Sequence, residues 1–310
     1  GMVGVEITSE GVALAHAVRD GDARTKLGVC EFRPCDESLR IPQTLASAVR
    51  DRKLSDTRAV FVLPPHQYRL HLLDAPDVQP EELDTATRWL VKDLIDVPLD
   101  EAVIDWFALP ERRGGRGRIY VTTVNRDVVE QIAEICGETG LHLHAIDISE
   151  LALRNLTALL PEDAQGLALL QLRSRGGLLT ICQEANLYLS RGLDVGTDSI
   201  QESKTVDPDA LMLADEGEND MLDALLLEIQ RSLDYYESQL GPQPIGTVVV
   251  APTVGDAPGL RAHVEKNLSA AVLSMDLNKV LACAQPVPAS LQARCISAVG
   301  AALRSEGDGS

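Results

Sequence analysis

Apolar and polar positions along this chain alternate in two styles, short strand-like runs and longer helical stripes. Val3–Ile7 and Gly11–Val18 predict two strands joined by the polar turn Thr8-Ser9-Glu10, and Gly28–Phe32 a third. Pro42–Arg52 predicts a helix with Leu45 and Val49 on one face, and Ala59–Leu63 a buried strand ended by Pro64-Pro65. Tyr68–Leu73 continues as an extended segment. Pro80–Ile95 predicts a helix with an acidic first turn and a stripe of Leu83, Ala86, Leu90 and Leu94. Strands at Ala102–Leu109 and Arg118–Val124 flank a glycine- and arginine-rich hairpin loop. A helix over Arg126–Thr139, a strand over Leu141–Ile146 and a helix over Ser149–Leu160 follow.

The second half repeats the opening. Strands are predicted at Leu167–Leu172, Leu178–Cys182 and Asn186–Ser190, then an acidic mobile loop over about 203–220. Met221–Leu240 carries Leu222, Leu225, Leu226, Ile229, Leu233, Tyr236 and Leu240 at helical spacing. A strand at Thr247–Val250 and helices at Pro258–Leu268 and Leu291–Leu303 complete the pattern. Two α/β halves with a cleft between them are expected, the first over 1–165 with an inserted α/β subdomain at about 76–147. The second spans 166–304, and 305–310 reads as a disordered tail.

Composition narrows the functions. At 310 residues and 45% hydrophobic the chain can bury two cores, built of aliphatics because aromatics are only 3%. A formal charge of −19 repels phosphate backbones and anionic headgroups, so neither nucleic acid nor direct membrane adhesion is expected. No apolar run approaches the roughly 20 residues of a membrane helix, and no basic region precedes the first apolar stretch, so no signal peptide is expected. The scattered cysteines 30, 35, 136, 182, 283 and 295 form no C-x-x-C and read as reduced cytosolic thiols.

Four stretches carry a family likeness in order and spacing across nearly the whole chain. They are Val62–Trp106 with its Arg-Trp pair and Pro-Leu-Asp-Glu turn, Tyr120–Leu153, Leu227–Ser238 and Ile296–Arg304. The chain resembles the PilM group of actin-like proteins of type IV pilus assembly, nearest to its MshI-type members of mannose-sensitive haemagglutinin pilus biogenesis. The resemblance implies an actin-like (ribonuclease H-like) two-domain fold with an inserted α/β subdomain. It also implies a cytoplasmic scaffold peripheral to the inner membrane, whose partner is the cytoplasmic tail of a PilN/MshJ-like membrane protein. A contact to the pilus assembly ATPase is a further implied contact, and the apolar helix Met221–Leu240 could serve homo-oligomerisation, with core packing its default role.

Nucleotide-binding members of that superfamily grip ATP with three loops, and this chain has lost the residues that do so. In the first hairpin the matching positions are Glu6, Thr8, Ser9 and Ala13, where Gly has become Thr8 and Lys has become Ala13. In the second, Gln171 and Arg173 replace an Asp and a Gly. In the third, Pro252, Thr253 and Val254 replace a glycine run, and proline removes a backbone donor. No catalytic residue, cofactor or metal is therefore expected, ATP in its usual mode included. Arg173 could meet a phosphate differently, although an arginine on a turn surface is the plainer reading. Two alternatives stay open: an active actin-like ATPase with a rebuilt cleft that keeps Glu6, and the cytoplasmic domain of a type II secretion L protein.

Other candidates are weaker. His142 and His144 share a strand face but lack a third ligand, so partly buried structural histidines are expected. Arg112–Gly117 reads as a solvated loop. Arg69, Arg88 and Trp89 are the candidate partner-binding residues, since Arg and Trp anchor interfaces, against a Trp that merely packs under the inserted subdomain.

Overall fold

The computed structural model describes residues 1–19, 24–35, 37–110, 117–202, 214–241, 243–254 and 259–305. The Arg112–Gly117 loop up to 116, the acidic segment over 203–213 and the tail from 306 lie outside them. The chain forms two compact units, Gly1–Leu153 joined by the chain from Ser297, and Arg154–Ile296.

The first unit holds strands β1 (Met2–Thr8), β2 (Gly11–Val18), β3 (Lys26–Pro34), β4 (Arg58–Leu63), β5 (Tyr68–Asp74), β6 (Ala102–Ala108), β7 (Arg118–Asn125) and β8 (His142–Ile148). Its helices are α1 (Ile41–Asp51), α2 (Leu83–Val91) and α3 (Arg126–Gly137), with α4 (Ser149–Thr157) starting in it. The second unit holds β9 (Leu167–Arg173), β10 (Gly176–Gln183), β11 (Asn186–Leu193), β12 (Thr247–Val250) and β13 (Ala271–Ser274). Its helices are α5 (Thr197–Glu202), α6 (Ala214–Tyr235), α7 (Leu260–Asn267) and α8 (Leu277–Val280). Helix α9 (Ala289–Ala302) begins there and ends in the first unit.

In the first unit the strands run β3-β2-β1-β4-β8. β1, β2 and β3 form an antiparallel meander, while β4 pairs parallel with β1 and β8 parallel with β4. Ala59–Leu63 is buried throughout, as a strand covered on both faces must be. One face packs on α1 through Leu45 and Val49 and on α3 through Ile132 and Cys136. The other receives α9, whose run of small residues has a steric cause. A Cβ on Gly4 of β1 would lie 1.9 Å from Ala298 O, and one on Gly300 would lie 2.0 Å from Ala152 O.

A separate antiparallel sheet, β5-β7-β6, forms the inserted subdomain. The Tyr68–Leu73 segment belongs to this sheet, whereas β8 pairs with β4 in the main sheet. α2 covers one face through Val91 on Ile119 and Val121, and Trp106 Nε1 donates to Asp84 Oδ1 at 2.8 Å. The opposite face sends Tyr68, Leu70 and Val124 into the main core. Only the first half of the stripe read from sequence packs, with Leu83 and Ala86 half-buried. The buried residues of α2 are Thr87 and Val91, and Leu90 and Leu94 stand 40% and 47% exposed.

The second unit's sheet runs β11-β10-β9-β12-β13. α6 begins at Ala214, earlier than the Met221 start read from apolar spacing, and ends in a π turn over Tyr236–Leu240. Leu222, Leu225, Ile229, Tyr236 and Leu240 are buried, as their spacing predicts. Tyr236 explains the stop, because a Cβ on Gly241 would lie 2.1 Å from its ring.

Candidate functional site

The first hairpin is closed on itself. Glu6 pairs with Ala13, and Thr8 with Gly11, leaving Ser9-Glu10 as a two-residue turn. Thr8 Oγ1 donates to Gly11 O at 3.2 Å and accepts from Glu10 N at 3.3 Å. A turn amide that could face an anion is thus bonded to a side chain of the same hairpin. Gly11 serves packing, since a Cβ there would lie 2.2 Å from Arg33 O on β3. Ser9 is exposed, Glu6 is 3% exposed, and Ala13, at the lysine position, is fully buried.

The second hairpin and the third loop meet at one end of the second unit's sheet. Val250 of β12 pairs with Leu170 of β9, and Ala251 N donates to Leu170 O at 2.9 Å. Gln171, inside β9, and Pro252, just past β12, therefore lie close together on neighbouring chain segments. Gln171 is buried, and its Oε1 has no hydrogen-bond partner among the described residues. Arg173 ends β9, paired with Gly176 across the Ser174-Arg175 turn, and is half-buried rather than on the surface.

That second turn is covered by its own chain, which sequence patterns did not indicate. Asp198 N donates to Ser174 O at 3.0 Å and Thr197 Oγ1 to Arg173 O at 3.5 Å. Gly196 lies so close that a Cβ would stand 2.2 Å from Gly176 N. The only signal in the sequence is a glycine ahead of Thr197, too common to single out.

In the third loop Pro252, Thr253 and Val254 are half-buried. Pro252 and Thr253 line, with Leu260, Arg261, Ser274 and Met275, a cavity of about 210 Å3. Ligand pockets usually begin near ~300 Å3.

The C-terminal end of β8 also went unread. Asp147 and Glu150 are each 3% exposed. Arg304 Nη1 lies 2.8 Å from Asp147 Oδ2, and Tyr68 OH donates to Glu150. Burial first, and then the Glu150 charge, push the Tyr68 hydroxyl far above its ordinary pKa, so it stays a donor. Ser149 Oγ donates to Leu63 O at 3.1 Å. These carboxylates bind structural partners from β5 and from the segment just after α9.

The partner candidates lie in the inserted subdomain. Arg69 is exposed on β5, an edge strand. Arg88 Nη2 donates to Leu99 O at 3.0 Å, and Trp89 is 63% exposed on the outward side of α2, with Lys92 Nζ 5.1 Å from its ring centre. Trp89 does not pack under the subdomain. His142 and His144 are both exposed, and a register shift leaves His144 unpaired on β4, which breaks the face they were expected to share.

The strand orders, with a meander opening each unit, define an actin-like fold. The chain matches no family model and no curated protein. Among solved structures it is similar to a PilM-PilN type IV pilus biogenesis complex, with a TM-score of 0.74 and 19% identity over 97% of this chain and 97% of that one. It is also similar to a Bacteroides thetaiotaomicron protein with an actin-like ATPase fold, with a TM-score of 0.51 and 10% identity over 94% of each chain. At these identities the likeness establishes the fold. No described helix is long and apolar enough to cross a membrane.

Proposed function

We propose that this chain is a non-catalytic scaffold of a type IV pilus inner-membrane platform, of the MshI kind, that binds the cytoplasmic tail of a PilN/MshJ-like membrane protein. The observation that carries this reading is the likeness to the PilM-PilN complex over 97% of both chains. The lost phosphate grip supports the non-catalytic part. Glu10 N is bonded within the first hairpin, the second turn lies under Gly196–Asp198, and Pro252 stands where a glycine run would be. β5 supplies the seat, because an edge strand offers backbone donors and acceptors for strand addition, with Arg69 exposed along it. The chain would reach the membrane through that partner.

Fluorescence anisotropy with a synthetic peptide of the partner's cytoplasmic tail tests this. Saturable binding at about micromolar Kd is expected, weakened at least about tenfold by Arg69→Glu. Absence of binding at about 100 μM peptide would overturn the partner assignment.

A further inference from the structure

Helix α2 has an apolar side that its own subdomain does not use. Its inward side is Thr87 and Val91, and Thr87 is fully buried with its hydroxyl oxygen unpartnered among the described residues. Trp89, Leu90 and Leu94 meanwhile are 63%, 40% and 47% exposed. The chain keeps turning beyond Val91, with Lys92 N bonded to Trp89 O and Leu94 N to Val91 O, so Leu94 follows within one tight turn of the end of α2. Burying a hydroxyl while exposing three large apolar side chains on one short element is the reverse of what a free surface favours.

The surroundings specify what would cover it. Between 77 and 105 the subdomain carries nine acidic side chains, all exposed, against two cations, Arg88 and Lys92. Arg88 bonds to Leu99 O and Lys92 lies over the Trp89 ring, and both keep their charge, which leaves an excess of seven acidic groups. Glu81, Glu82, Asp93 and Asp96, all exposed, flank α2 in the chain and leave its neighbourhood net negative. A second copy of this chain, at −19, would meet like charge with like, and so would an anionic membrane.

We propose that this side of α2 docks an amphipathic helix of a protein partner whose apolar stripe is flanked by Lys and Arg. The apolar anchors hold the helix, and the acidic neighbourhood selects the charge and speeds encounter. The proposal rests on α2 alone and is independent of how the tail binds β5.

Two synthetic helical peptides with the same leucine spacing, one rich in Lys and one in Glu, serve as probes of the full chain by fluorescence anisotropy. The Lys-rich peptide is expected to bind and the Glu-rich peptide not. Affinity should fall steeply between about 50 and 300 mM salt. The decisive variant is Leu90→Ser with Leu94→Ser, which leaves every charge in place and should weaken binding at least about tenfold. Trp89→Ala should act in the same direction, and circular dichroism checks that both variants stay folded. Equal binding of the Lys-rich peptide to wild type and variants would reduce the effect to bulk charge and overturn the proposal. So would no binding at about 50 mM salt, or a dimer in sedimentation that the double variant dissolves.

Discussion

Gln292 shows how single side chains hold this fold. It is 4% exposed, and it donates from Nε2 to Asp276 Oδ1 and Val287 O, both at 2.9 Å, while Oε1 accepts from Leu277 N at 2.8 Å. Asn278 completes the clamp, donating to Val287 O at 3.0 Å and accepting from Val287 N at 2.7 Å. Gln292→Ala strands those partners and should cost about 1–3 kcal/mol in urea unfolding at pH 7. The Gln292 amide first, and then the Asn278 groups, hold the Asp276 carboxyl below its ordinary value. A depressed carboxyl stabilises the fold above its unfolded pKa near ~4, and that contribution disappears as pH falls through the lower folded value. Repeating the unfolding near about pH 3 should therefore shrink the gap between wild type and Gln292→Ala. An unchanged gap would remove Asp276 from the clamp. None of this could be read from sequence, because Asp276, Asn278, Val287 and Gln292 meet only after folding. The expectation of replaced phosphate contacts at Thr8, Ala13, Gln171 and Pro252 belongs to this scale, because the resemblance assigns it residue by residue.

Among elements, legibility followed locality. The α6 stripe was visible because its buried positions recur along one continuous helix. The α2 stripe was equally visible but only its first half packs, because periodicity identifies an apolar side without saying what covers it. The β5–β7 pairing and the return of β8 to β4 depend on contacts distant in sequence, so the extent of the insertion was not fixed by pattern. Glycine offers a test within helices. Gly300→Ala drives a Cβ to 2.0 Å from Ala152 O and should destabilise by about 1–3 kcal/mol. Gly137→Ala, at an exposed helical site with nothing within 4 Å of the added Cβ, should stabilise by about 0.5–1 kcal/mol. Opposite signs from one substitution type, read as shifts in Tm, would locate the close packing at α9. Equal signs would deny it.

For the whole molecule, repetition was the informative signal. A hairpin opening each half, followed by a buried parallel strand and packing helices, was enough to anticipate two similar α/β halves, and the family resemblance added the actin-like fold. The self-bonded first turn and the chain lying over the second turn were not legible, because both depend on backbone geometry rather than residue type. They strengthen the proposal that this chain keeps an actin-like architecture without a phosphate grip. Calorimetric titration of the intact chain with Mg-ATP tests that proposal most directly. The expected result is no heat of binding and no thermal shift at about millimolar nucleotide. Saturable heat at about micromolar Kd, abolished by Glu6→Gln or Arg173→Ala, would contradict it and establish a rebuilt nucleotide site.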